Sequence, residues 1–167
     1  MENSLINVEA IQVNKNAKQL KYAHGLEDSG MDVYISRVST KINGEWCEFF
    51  NYTLKPGETV IVKSGWKVKV PIGFELQVRP TSGNSLKTKM RIANAPGTID
   101  AGYEDEIGVI VENIGNTPIE LREGNKVAQL VLSAVYHAKV IEVEQFSSSS
   151  VRGLDGYGST GTILDIK

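Results

Sequence analysis

The sequence predicts an all-β domain, a sandwich or barrel of jelly-roll type, and three observations point there. Apolar and polar residues alternate with period two along several runs, as they do in strands with one wet face. Turn-forming residues interrupt those runs at short intervals. No long stretch carries the apolar repeat of an amphipathic helix, so no helical layer is available to cover a sheet.

Along the chain, Asn43-Gly44 lies between two strand-like runs and predicts a tight hairpin. After a turn at Pro56-Gly57, Trp66, Val68 and Val70 alternate with Lys67 and Lys69. Beyond Pro71-Ile72-Gly73, the residues Phe74, Leu76 and Val78 alternate with Glu75, Gln77 and Arg79. The one helix candidate is short, 84–89, with Asn84 or Ser82 as its N-cap. Ile107, Val109 and Val111 then share a face, and turns at Gly115-Asn116 and Glu123-Gly124-Asn125 lead to two further strand-like runs, 126–136 and 139–146. Four serines, 147–150, form a flexible connector, which divides the chain into a core, 1–146, and a tail, 147–167. There is no internal repeat.

Composition narrows the function classes. The 167 residues suit one compact domain, and 41% apolar with 23% charged residues is ordinary for a globular protein. A formal charge of -2 supplies no basic field for nucleic acid, so a polyanionic ligand must be met by local donors or a metal. The single cysteine, Cys47, excludes an internal disulfide and a Cys-rich metal site and reads as a small packed side chain. His24 and His137 have no second ligand at zinc spacing. No basic segment leads into an apolar run at the N-terminus, and no stretch approaches membrane-spanning length, so a cytoplasmic protein without a membrane anchor is expected.

Four stretches carry candidate chemistry. In 79–87 a strand ending at Arg79-Pro80 runs through Ser82 and Gly83 into the short helix, which reads either as an ordinary turn or as hydroxyl and backbone donors for an anion. In 94–106 Asp100 precedes the turn Ala101-Gly102, so its carboxylate either accepts turn N–H bonds or serves as a general base that orients a water. Gln129 interrupts an apolar strand, and its amide must be hydrogen-bonded by the fold or by a ligand. The tail spaces Arg152, Tyr157, Ser159 and Thr160 among glycines, including Gly158. It is either a frayed terminus or a lid, in which an arginine fork, an aromatic platform and accessible N–H groups close on a nucleotide.

Taken in order, "DSGMDV" (28–33), "RPTSGNSLK" (79–87), "NAPGTIDAGY" (94–103), "GNKVAQLV" (124–131) and "RGLDGYGSTG" (152–161) resemble the five motifs of the trimeric dUTP diphosphatases, over roughly residues 20–161. The resemblance implies a distorted jelly-roll, β-clip subunit in a homotrimer, with active sites between subunits and the tail of one subunit exchanged onto a site built by the other two. It implies hydrolysis of dUTP to dUMP and pyrophosphate by water attack on the α-phosphorus, with Mg²⁺ on the triphosphate, which keeps uracil out of DNA and supplies dUMP for dTMP synthesis. By the same resemblance Asp100 activates the water and Tyr103 packs under the deoxyribose. Asn94, with the backbone of the hairpin through Thr98 and Ile99, reads uracil. Ser82, Gly83 and Gln129 hold phosphates, joined by position 81 of the same motif. From the tail Arg152 reaches the terminal phosphate, Tyr157 stacks on uracil, and Gly158, Ser159 and Thr160 donate to phosphate oxygens, while Asp32 supports the metal-phosphate end through water.

The chain departs from that pattern in several places. Thr81 stands where the family usually has arginine, Asn84 where an apolar residue is usual, Glu104-Asp105 where Arg-Gly commonly follows the tyrosine, and Asp155 where glycine is frequent. Arg79 and Lys87 lie close enough in sequence to replace part of the lost cation. The related dCTP deaminases are disfavoured, because Ile110 falls where they use a catalytic glutamate. The alternative from another class is a phage-type regulatory relative that binds a repressor or other protein through the 36–54 hairpin, with Trp46, Phe49, Phe50 and Tyr52; the favoured reading packs those aromatics on the chain's own core or on trimer contacts.

Overall fold

The computed structural model describes residues 5–151 and residue 153. Its strands are β1 (Glu9–Gln12), β2 (Met31–Tyr34), β3 (Arg37–Ile42), β4 (Glu45–Phe49), β5 (Asn51–Leu54), β6 (Thr59–Lys69), β7 (Phe74–Arg79), β8 (Met90–Ile92), β9 (Gly97–Ile99), β10 (Glu106–Asn113), β11 (Ile119–Arg122) and β12 (Lys126–Ala134). One short helix, α1 (Ser82–Lys87), sits between β7 and β8. The fold is all-β and jelly-roll-like, as the period-two runs require.

One sheet is ordered β4-β3-β6-β10-β8, with β1 added to the second half of β6. A second is ordered β2-β12-β7-β9, and β5 pairs with β11 in a ribbon. All these pairings are antiparallel. Val33, Leu76, Val78 and Leu130 from the four-stranded sheet join Val38, Val62, Val109 and Val111 from the larger one in a single buried cluster. Each such side chain contributes about 1.5–3 kcal/mol of burial. The hairpin at Asn43-Gly44 joins β3 to β4 with both turn residues at positive φ, 52° and 88°, the twist that a two-residue loop between strands needs.

Two expectations are corrected. Helix α1 begins two residues earlier than predicted, and neither Asn84 nor Ser82 caps it: Thr81 occupies the N-cap without a side-chain bond. Asn84 is drawn instead to β12, where its Nδ2 donates to Lys126 O at 3.0 Å and Val127 O at 3.3 Å. Residues 139–146 form no strand. A compact unit ends at Tyr136, and in the segment that follows Val140, Ile141 and Val143 are exposed; alternation makes a strand only where a neighbour supplies the ladder. Among the hairpin aromatics only Phe49 and Tyr52 are half-buried, their ring centroids 5.5 Å apart, whereas Trp46 is 59% and Phe50 56% exposed on this chain. Cys47 is half-buried and free. No helix among the described residues is long and apolar enough to cross a membrane.

Candidate functional site

The four-stranded sheet gathers the first set of site residues. On β12, Gln129 lies opposite Asp32 of β2 on one side and opposite Arg79 of β7 on the other. Its Nε2 donates to Pro80 O at 3.0 Å and so pins the chain just before α1, where Thr81, Ser82 and Gly83 follow. The first-turn amides of a helix have no partner within it and are free for a ligand. Gly30 leaves the space that the Gln129 amide occupies: a Cβ there would sit 2.7 Å from Gln129 Oε1 and 3.2 Å from its Cβ. The buried Asp32 carboxylate accepts from Lys126 Nζ at 3.1 Å and from the Tyr34 hydroxyl at 3.3 Å. Burial, and next the charge of Asp32, push the Tyr34 phenol up, so it remains a donor. Arg79 is engaged elsewhere, its Nε donating to Gln77 Oε1 at 2.9 Å, and Lys87 closes the last turn of α1.

A second set surrounds β9. Val78, Asn94, Gly97, Thr98, Ile99, Tyr103 and Gly108 line a cleft of about 120 Å³. The chain enters it through a cis Ala95–Pro96 peptide. Tyr103 is 37% exposed; its N–H donates to Asp100 O at 3.0 Å and its hydroxyl to Glu106 O at 2.8 Å. Burial, then the charges of Asp105 and Glu106, push its phenol up. Asp100 is exposed, and no hydrogen bond from the described residues reaches its carboxylate, so the turn-acceptor role is not what holds it. The departures at 104 and 105 have structural partners. Glu104 pairs with Lys69 and Asp105 with Lys67 at 3.5 Å, tying the loop to β6. The bond from Lys69 holds the Glu104 carboxyl low, and the Glu106 N–H does the same for Asp105.

Register separates the two sets. Strand β9 runs antiparallel to β7, pairing Val78 with Gly97, Gln77 with Thr98 and Leu76 with Ile99, so Asp100 follows toward the Glu75 end. Ser82 follows Arg79 at the other end. Glu75 to Arg79 alone is about 14 Å of strand. Within one chain, therefore, the donors beside Gln129 and the exposed carboxylate beside the cleft face different ends of β7. Arg152, Tyr157, Gly158, Ser159 and Thr160 lie outside the described residues. The sequence reading missed Lys126 as the cation on Asp32 and a pair of the half-buried Arg37 with the buried Glu106, which borders Tyr103. A charged residue at the head of the apolar run 107–111 was the available signal for the pair.

Comparison with known proteins gives the following. The dUTPase family model matches residues 47–161. The deoxyuridine 5'-triphosphate nucleotidohydrolase of Picosynechococcus sp. is 38% identical over 158 residues, covering 94% of this chain and 100% of that protein. The solved dUTPase of Staphylococcus bacteriophage 80alpha with dUPNHPP superposes with a TM-score of 0.78 at 24% identity, covering 93% of this chain and 99% of that one. A mutant dUTPase from phage phi11 of S. aureus, described for coordination of a structural Mg(II) ion, gives 0.71 at 22% identity, with 85% and 99% covered.

Proposed function

Since the chain belongs to the dUTPase family, we propose that it is a cytoplasmic dUTP diphosphatase that hydrolyses dUTP to dUMP and pyrophosphate. The observation that carries this reading is the cleft lined by Asn94, Thr98, Ile99 and Tyr103, with the exposed Asp100 next in the chain after Ile99. The Asn94 amide and the Tyr103 ring supply the few placed groups by which such a cleft orients a planar base. Asp100 takes the proton of a water that attacks the α-phosphorus, a role worth roughly 10²–10⁴-fold. Tyr103 packs under the deoxyribose and excludes a 2′-hydroxyl; Asn94 and the backbone through Thr98 and Ile99 read uracil.

Ser82, Gly83 and Gln129, with Thr81 in the arginine's place, meet the phosphates. Their distance from Asp100 along β7 is met by a second copy, and the family resemblance makes the working unit a homotrimer with sites between subunits. The tail residues Arg152, Tyr157, Gly158, Ser159 and Thr160 close over the nucleotide from the third copy. Mg²⁺ fits this donor set. Among the described residues no cluster of three acidic, histidine or cysteine side chains could cage an ion, whereas Asp32 offers one carboxylate, enough for an ion that keeps most of its waters and rests on substrate phosphates. When bound there it neutralises charge on the triphosphate. Asp32 is the residue that would hold the ion, through water, and Lys126 keeps that carboxylate in position.

The test is pyrophosphate release with Mg²⁺ from dUTP, dTTP, dCTP and UTP. Turnover selective for dUTP and lost in Asp100→Asn is expected; equal turnover of the four nucleotides, or full activity in the variant, sinks the reading. The exposure of Trp46 and Phe50 favours one further reading, a regulatory relative whose hairpin binds a repressor or other protein. It requires a defined complex that is lost in Trp46→Ala and Phe50→Ala while dUTP turnover persists.

A further inference from the structure

Glu106 is 4% exposed at the head of β10, and a carboxylate taken out of water destabilises the fold unless its oxygens are met. Here they are met from two strands. Arg37 of β3 donates through Nη2 to Oε2 at 2.6 Å and through Nη1 to Oε1 at 3.3 Å, while its Nε holds Glu48 at 2.7 Å. The N–H of Gly65 on β6 donates to Oε1 at 2.7 Å. Gly65 lies where the register of β6 against β10 shifts: Glu106 pairs with Lys67 and Gly108 with Lys63, so β6 carries extra residues between them. At φ +82°, with Ala17 2.4 Å from where a Cβ would be, only glycine fits this bulge. The Glu106 carboxylate fills the bulge and fixes the start of β10.

The backbone of the same residue meets the cleft. Its N–H donates to Asp105 Oδ1 at 2.7 Å, and its carbonyl accepts the Tyr103 hydroxyl at 2.8 Å. A two-pronged arginine–carboxylate contact fixes geometry as well as adding energy. We propose that Glu106, clamped by Arg37 and the Gly65 N–H, is a positioning residue that sets the Tyr103 ring through the Glu106 carbonyl and thereby sets discrimination against a 2′-hydroxyl. This rests on the proposed role of Tyr103 at the pentose. Neither Arg37 of β3 nor Gly65 of β6 lines the cleft, so the clamp reaches it through the tyrosine.

The experiment measures kcat/KM for dUTP and for UTP with Mg²⁺ on the wild type and on Glu106→Gln, Arg37→Met, Tyr103→Phe, Tyr103→Ala and Leu54→Ala. A displacement of about 1 Å costs on the order of 10²-fold where geometry governs the rate, so a loss of about tenfold or more in the dUTP/UTP ratio is expected for Glu106→Gln, Arg37→Met and Tyr103→Phe. Combining Glu106→Gln with Tyr103→Phe should lower the ratio no further than either alone, because the two act in series. Leu54→Ala, which destabilises the core through a buried residue of β5, should keep the wild-type ratio. If Tyr103→Ala loses the ratio while Glu106→Gln and Arg37→Met keep it, the positioning role is wrong and the pentose reading stands. If Tyr103→Ala keeps it, the pentose reading itself fails. A matching loss in Leu54→Ala would assign the effect to general destabilisation and overturn the proposal. Should Glu106→Gln fail to fold, Arg37→Lys decides: it keeps the charge and loses the fork, and an unchanged ratio refutes the clamp.

Discussion

Replacing Thr81 by arginine should raise catalytic efficiency. Thr81 is extended, with φ −96° and ψ 143°, and makes no capping bond to α1, so the substitution removes none of the roughly 1 kcal/mol that a capping threonine supplies. The helix is held independently, by Asn84 on the carbonyls of Lys126 and Val127, and its approach is held by Gln129 on Pro80. Position 81 adjoins Ser82 and Gly83, where the phosphates are proposed to lie. Arg79, the nearest cation in sequence, is committed to Gln77. A guanidinium added there gains a charge-assisted hydrogen bond worth about 1.5–3 kcal/mol. If that bond tightens in the transition state it multiplies kcat/KM by about 13 to 160 at 25 °C. Pyrophosphate release from dUTP below KM reads the gain, and urea denaturation checks the fold. An unchanged or lower kcat/KM in a variant of wild-type stability would refute the reasoning.

Three other perturbations have defined outcomes. Gly30→Ala should displace the Gln129 amide; losing one neutral hydrogen bond of about 1 kcal/mol predicts roughly a fivefold rise in KM for dUTP, read by steady-state kinetics. The Tyr52 phenol is pushed up to about 12, first by burial and then by its bond to Glu58. Its pKa is raised on folding, so its contribution is complete below the unfolded value of about 10 and is lost as pH climbs toward 12; Tyr52→Phe should flatten the fall in denaturation midpoint between about pH 10 and pH 12. Leu76, fully buried opposite Ile99, should cost about 2–5 kcal/mol when truncated to alanine, seen as a lowered urea midpoint.

The strands were legible where one face is buried and the other wet. Leu76 and Val78, or Val109 and Val111, could alternate as they do only in a half-buried sheet, and Asn43-Gly44 named its own turn. Two local readings failed for non-local reasons. Asn84 is a good capping residue in isolation, but the carbonyls of β12 compete for its amide. Residues 139–146 alternate well, yet nothing in the described chain pairs with them. The motifs located the cleft residues, whereas their distance from Ser82 depends on the β7–β9 register, which no short stretch encodes. Glu106 was hidden because its partners lie 41 and 69 positions away in sequence.

The most direct test of a site split between subunits is complementation. Asp100→Asn and the double variant Ser82→Ala/Gln129→Ala are each expected to be inactive on dUTP, and the two are co-refolded in equal amounts. With sites formed between copies, random assembly restores about a quarter of the wild-type activity, because each intact site needs one good half from each variant. Activity that stays at the level of the separate variants would contradict the account, since it would mean that one chain supplies both sets of residues to its own site.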